Sequence, residues 1–204
     1  MEQALIQPST HFKQTDAPSL RHWAGWVDPT TANSWFSELE RESPWKQESI
    51  TLFGKRHLLP RLTCWMADPG CGYRYSGLEN IVEPWSPTAQ LIRNQVSQHT
   101  GWCFNSLLLN LYRNGKDAMG FHADNEPELD PKAPIASLSF GASRTLRFKP
   151  QRGIQGESMS LELGNGDLLL MDPPTQQEWL HGVPRRLRVA EARLNLTFRV
   201  VSKQ

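Results

Sequence analysis

Arg193-Leu194-Asn195-Leu196-Thr197-Phe198-Arg199 decides how this chain is read. Even positions are apolar and odd positions polar. Side chains on a strand point alternately to its two faces, so one face carries Leu194, Leu196 and Phe198 and the other Arg193, Asn195, Thr197 and Arg199. An ordinary half-exposed strand turns such a polar face to water. Two guanidinium groups with an amide and a hydroxyl between them also suit the wall of a polar cavity. Planar guanidinium forks bind carboxylates bidentately, and a small dicarboxylate engages two of them.

The same alternation recurs upstream over residues 106–113. Leu107, Leu109 and Leu111 fall on one face and Leu108, Asn110 and Tyr112 on the other. Further strands are expected over 135–141, 144–149, 158–163, 167–171, 179–181 and 192–201, separated by turns rich in Gly, Pro and Asn. Many short strands at this spacing predict an all-β sandwich or barrel. A double-stranded β-helix of the jelly-roll type is one such fold, and it closes a cavity between its sheets.

Ahead of residue 104 the pattern is mixed. Asp28-Pro29-Thr30-Thr31 opens a helix whose apolar positions Ala32, Trp35, Phe36 and Leu39 follow helical spacing. Ser86-Pro87 opens a second, with Ala89, Ile92 and Val96 buried and Gly101 as its stop. Between them, Ile50 to Lys55 reads as a strand running into the Gly54 turn, and 57–65 as a second strand interrupted by Pro60. The expected organisation is a loose segment over 1–20, helices and intervening strands over 21–103, and a β core over 104–204, together one compact domain.

Hydrophobic residues make up 38% and charged residues 21% of the 204 residues, which predicts a real core rather than a disordered chain. The formal net charge is only +1, so any affinity for nucleic acid must come from a local patch. Three Cys (Cys64, Cys71 and Cys103) at no framework spacing predict free thiols in a reducing compartment. No apolar run reaches the length of a membrane span. The expectation is a soluble intracellular monomer, in the cytoplasm or, in a eukaryote, the nucleus.

Phe121-His122-Ala123-Asp124 carries the metal chemistry. On an extended strand His122 and Asp124 point to the same side. His181, in Glu178-Trp179-Leu180-His181-Gly182, is the candidate third ligand. Two His and one carboxylate on one face of an octahedron make the usual non-haem Fe(II) oxygenase site. A lone H-x-D triplet occurs often by chance, so its weight comes from context.

That context resembles one family. Asn110-Leu111-Tyr112-Arg113-Asn114, His122-x-Asp124, Pro134-Ile135-Ala136-Ser137-Leu138-Ser139-Phe140-Gly141, the His181 segment and the Arg193–Arg199 strand, in this order, resemble the AlkB family of nucleic-acid dealkylases. The resemblance covers about 50–201 and is nearest the branch that repairs 1-methyladenine and 3-methylcytosine in DNA or RNA. It implies a jelly-roll core holding Fe(II) and 2-oxoglutarate, turnover with O2, and an N-terminal lid that grips the nucleotide. It implies iron ligation by His122, Asp124 and His181, and co-substrate contacts from Asn110, Tyr112, Arg193, Asn195, Thr197 and Arg199. Arg199 then faces the carboxylate beside the keto group and Arg193 the far carboxylate. Base and strand contacts are implied for Phe53, Arg61, Tyr73, Tyr75 and Glu126. Phe53 reads equally as a wedge pushed into a duplex or a buried strand end. Two alternatives share parts of this pattern: a 2-oxoglutarate dioxygenase acting on a protein or lipid, and a non-catalytic nucleic-acid-binding module.

Overall fold

The computed structural model describes residues 10–11, 17–52, 54–71, 74–75, 78–79 and 82–202. Two short strands, β1 (Thr10–His11) and β2 (Leu20–Trp23), come first, followed by helix α1 (Pro29–Glu42). Asp28 caps α1 by accepting from the Thr30 and Thr31 amides. Pro29 opens the helix where a missing N–H costs nothing. A hairpin of β3 (Ser49–Leu52) and β4 (Lys55–Leu58) turns through Gly54 at φ +74°. β5 (Leu62–Ala67) follows. The strand expected over 57–65 is therefore divided between two sheets, because Pro60 offers no N–H to carry a ladder through. A short pair, β6 (Arg74–Tyr75) and β7 (Leu78–Glu79), precedes α2 (Pro87–Thr100). Ser86 caps α2, and Gly101 stops it in the left-handed region at φ +77°.

The remaining strands are β8 (Ser106–Tyr112), β9 (Met119–His122), β10 (Ile135–Gly141), β11 (Arg144–Pro150), β12 (Met159–Leu163), β13 (Leu168–Met171), β14 (Trp179–Val183) and β15 (Arg193–Arg199). A short helix α3 (Pro173–Glu178) leads into β14. The strands form a seven-stranded sheet, β1-β2-β13-β10-β15-β8-β5, and a four-stranded sheet, β12-β11-β14-β9. Every neighbouring pair in both is antiparallel. This is the two-sheet sandwich of a jelly roll.

Period-two alternation sorts the layers. On the outer face of the large sheet, Leu107, Leu109, Leu111, Leu194, Leu196 and Phe198 pack with Trp35 and Leu39 of α1 and Ile92 and Val96 of α2. Between the sheets, Tyr112, Ile135, Leu169 and Met171 meet Leu146, Phe148, Trp179 and Val183 of the small sheet. Both faces of β15 are thus buried, and all seven of its residues lie below the surface. Its polar face lines the interior.

The N-terminal part also contributes to this core. β2 pairs with β13 and β5 pairs with β8, so both extend the large sheet. Composition makes residues 1–20 look loose, yet Thr10–His11 pair with β2 and Leu20 is fully buried. Among the described residues no helix is long and apolar enough to cross a membrane.

Candidate active site

Two strands of the small sheet bring the first two ligand candidates together. β9 and β14 pair with His122 opposite His181, and the ring centroids are 4.3 Å apart. Asp124 lies just beyond the end of β9, not within it as an unbroken extended strand would have it. Its Oδ1 is 3.7 Å from His122 Nε2, and its Oδ2 is 3.9 Å from His181 Nε2. These gaps exceed hydrogen-bond length. The candidate ligand atoms of the three residues all lie within 4.8 Å of one another. His122 Nδ1 is 3.0 Å from the Gly120 carbonyl. A proton there leaves the Nε2 lone pair facing Asp124, the tautomer a metal ligand needs.

Electrostatics keep all three side chains in ligand form. Burial alone raises the Asp124 carboxyl, but the Arg199 guanidinium, then the His122 and His181 rings, outweigh it and hold the pKa at about 2. Burial, reinforced by the neighbouring His122, pulls His181 down to about 3. Burial also lowers His122. At neutral pH the cluster is two neutral imidazoles and one carboxylate. Asp124 Oδ2 is buried and accepts no hydrogen bond from any described residue. A buried anionic oxygen in a cluster with two neutral imidazoles is costly unless something positive meets it, so the donor set fits a divalent cation.

The cavity beside the cluster is lined by the polar face of β15 and its partners. Arg193, Asn195, Thr197 and Arg199 join Asn110 and Tyr112 of β8, Ser137 of β10, and Met119, Met171 and Leu146. Register accounts for this, since Arg193 is opposite Tyr112 and Asn195 opposite Asn110. Arg199 Nη2 donates to Asp124 Oδ1 at 2.8 Å, and its guanidinium lies over Trp65 at 5.6 Å. Asn195 Nδ2 donates to Ser137 Oγ at 2.8 Å, and Thr197 Oγ1 to Asn195 Oδ1 at 3.2 Å.

Arg193 is 2% exposed and donates from Nη2 to Ser139 Oγ at 2.9 Å. Its Nε and Nη1 make no well-formed hydrogen bond among the described residues, and the Tyr112 side chain lies beside them. Burial pushes this guanidinium down to about 10. A buried cation with two idle donors in a polar cavity fits a carboxylate, and the separate Arg199 fits a second one.

The other expected contacts scatter. Arg61 is buried, and its Nε donates to Asn110 Oδ1 at 2.8 Å, so it holds a side chain of the cavity wall. Glu126 lines an adjoining pocket with Asp124 and Arg199. Burial, then the Asp124 charge, raises its carboxyl above the ordinary Glu range. Tyr75 belongs to β6, where only the main chain is described. Phe53 and Tyr73 lie outside the described residues.

Several contributors escaped the sequence reading. Ser137 and Ser139 alternate in β10 and partner Asn195 and Arg193; a period-two reading of that strand would have found them. Arg144 is 1% exposed and donates to the Asn114, Asp117 and Pro184 carbonyls. Its guanidinium lies over the Tyr112 ring at 5.5 Å, and that of Arg193 lies over the same ring at 5.4 Å. The side chain of Gln176 accepts from the Asp124 amide. Nothing in the local sequence marks Arg144 or Gln176, because their partners are distant in the chain.

Comparison with known proteins agrees with this site. Residues 19–199 match the family model of the 2OG-Fe(II) oxygenase superfamily. The match begins well before residue 50 because β2 and α1 belong to the same fold. The DNA oxidative demethylase ALKBH2 of Mus musculus is 40% identical over 83% of this chain and 75% of its own length. The Alpha-ketoglutarate-dependent dioxygenase alkB homolog 3 of Bos taurus is 42% identical over 87% of this chain. This chain spans 64% of that relative, a little under two thirds. Among solved structures, OsALKBH1 superposes with a TM-score of 0.63 at 16% identity, covering 92% of this chain and 99% of that one. That likeness speaks for the fold. The superfamily works with Fe(II), 2-oxoglutarate and O2, and the His122–Asp124–His181 cluster and the arginine-lined cavity fit the first two. The chain belongs to the AlkB family of Fe(II)- and 2-oxoglutarate-dependent dioxygenases.

Proposed function

We propose that this chain is an oxidative demethylase that removes N-linked methyl groups from bases in DNA, 1-methyladenine and 3-methylcytosine foremost, with RNA as a second substrate. The observation that carries the reading is the His122–Asp124–His181 cluster opening onto a cavity with a buried, part-idle guanidinium at Arg193. The relatives named DNA oxidative demethylase supply the substrate class.

In this reading His122, Asp124 and His181 hold Fe(II). Arg193 takes the far carboxylate of 2-oxoglutarate and Arg199 the carboxylate beside the keto group. Asn110, Tyr112, Asn195 and Thr197 complete the polar wall. When bound, iron and 2-oxoglutarate supply oxidation of the N-methyl carbon by O2, giving succinate, CO2 and a hydroxymethyl base that sheds formaldehyde. The chain supplies orientation and a dry enclosure. A base within a duplex cannot reach so buried a cluster and must be extruded, at a cost of a few kcal/mol that methylation of the pairing edge reduces. The segment ahead of the core serves as the lid. Tyr75 stacks on the extruded base, for about 1–3 kcal/mol, and Tyr73 lies beside it. Glu126 meets the base edge. Phe53 fills the vacated place in a duplex.

The test is formaldehyde release from oligonucleotides carrying 1-methyladenine, 3-methylcytosine or ethenoadenine, with Fe(II), 2-oxoglutarate and O2 supplied. The wild-type chain should release formaldehyde from the two methylated substrates. His122→Ala should release none while keeping its circular dichroism spectrum. Succinate formation without formaldehyde from any oligonucleotide would hand the chain to a protein- or lipid-directed dioxygenase.

A further inference from the structure

Asp124 has no strand ladder to hold it. β9 ends at His122, and no strand among the described residues pairs with residues 123–126. The Asp124 carboxylate is tied to Arg199, but its main chain is held by a side chain: the Asp124 N–H donates to Gln176 Oε1 at 3.0 Å. Gln176 is 6% exposed. Its Nε2 reaches Met171 Sδ at 3.6 Å, and its main-chain carbonyl accepts from Gln151 Nε2 at 3.2 Å. Only one orientation of the amide serves both contacts, oxygen toward the N–H and nitrogen toward the thioether.

Gln176 is itself on a pinned element. Thr175 Oγ1 donates to the Ser19 carbonyl at 2.9 Å, and Asp172, at the head of α3, accepts from Ser19 Oγ and from Arg21. α3 then runs straight into β14, which carries His181. One short segment therefore holds a histidine by its own ladder and reaches across to the aspartate with an amide.

We propose that Gln176 is a positioning residue of the metal centre, fixing the Asp124 main chain to the segment that presents His181. The inference rests on reading His122, Asp124 and His181 as the metal ligands. Groups that orient metal ligands from outside commonly change metal affinity 10–100-fold when removed. Gln176 is such a group acting through the main chain, so it tunes where the carboxylate sits without touching the ion.

The test is Mn(II) titration of the metal-free protein, followed by electron paramagnetic resonance with no turnover, at a temperature well below melting. Gln176→Met keeps the volume and removes the acceptor. It should weaken Mn(II) about 10–100-fold. Gln176→Glu should stay close to wild type. An oxygen of its carboxyl group can accept from the Asp124 N–H in the place of Gln176 Oε1. Unchanged affinity in Gln176→Met, or equal losses in both variants, overturns the proposal. A wild-type protein that binds no Mn(II) removes the metal reading itself and this proposal with it. If Gln176→Met does not fold, hydrogen exchange on the wild-type protein decides. The Asp124 amide should exchange slowly although it lies outside any strand, and exchange at the rate of an open loop would overturn the assignment.

Discussion

His181 is a basic group that the fold keeps neutral. Burial, then the adjacent His122, sets its pKa at about 3, against about 6.5 in an unfolded chain. Below the unfolded value the denatured chain binds a proton that the native one refuses. Stability of the metal-free protein must therefore fall as pH drops from about 6.5 toward about 3, by about 1.4 kcal/mol per pH unit for each such proton. His122, lowered by burial, adds to the slope. Asp124, depressed to about 2, contributes stability above its unfolded value of about 3.9 that is lost only on going below it. The histidines thus govern the window between about pH 6.5 and about pH 4. Urea unfolding of metal-free protein across that window should show the decline, and His181→Gln should make it shallower. A flat wild-type profile would contradict neutral buried imidazoles. The three residues of the cluster were legible because residue type alone limits what can bind a metal. Gln176 was not, because a lone Gln in Pro173-Pro174-Thr175-Gln176 acquires meaning only from Asp124, 52 residues away.

The corner between β8 and β9 shows how an element can set the site from a distance. Gly115 pairs through its main chain with Val189 and Arg186, both at 2.8 Å. A Cβ there would lie 1.8 Å from the Arg186 carbonyl oxygen, against main chain that cannot swing away. Arg144 clamps the same corner through the Asn114 and Asp117 carbonyls. Gly115→Ala should destabilise by about 1–3 kcal/mol or more, as overpacking does. It should also raise KM for 2-oxoglutarate, because Tyr112 and Met119 flank the corner and line the cavity. A lowered denaturation midpoint with unchanged KM would separate the corner from the site. By contrast, Ser86→Ala removes the α2 cap, far from the chemistry, and should cost about 1 kcal/mol with turnover intact. The caps were readable in sequence because capping is local. β2 was not: Leu20-Arg21-His22-Trp23 breaks the apolar alternation with a buried His that Asp167, 145 residues further on, meets at 3.2 Å. α3 escaped for a related reason, since a helix of six residues between strands leaves no period to detect.

At the scale of the whole molecule, a β sandwich or barrel was legible from strand spacing and the jelly roll from the family resemblance, while the order of strands was not, since pairings such as β2 with β13 join distant segments. With a formal charge of +1 the molecule exerts little overall pull on a polyanion. Affinity for a duplex must therefore come from local contacts and from how the duplex is opened. The β3–β4 hairpin pairs Leu52 with Lys55 and turns through Gly54, and Phe53 itself lies outside the described residues. A side chain that fills the place of an extruded base offsets part of an unstacking cost of a few kcal/mol. A single strand has no partner stack to replace, so it gains nothing from such a wedge. Phe53→Ala should accordingly lower kcat/KM on methylated duplex about tenfold or more, a fraction of that unstacking cost, and leave repair of the same lesion in single-stranded DNA near wild type. Matched substrates measured side by side check this. Losses of equal size on both would make Phe53 a packing residue and leave the opening of the duplex to another part of the chain.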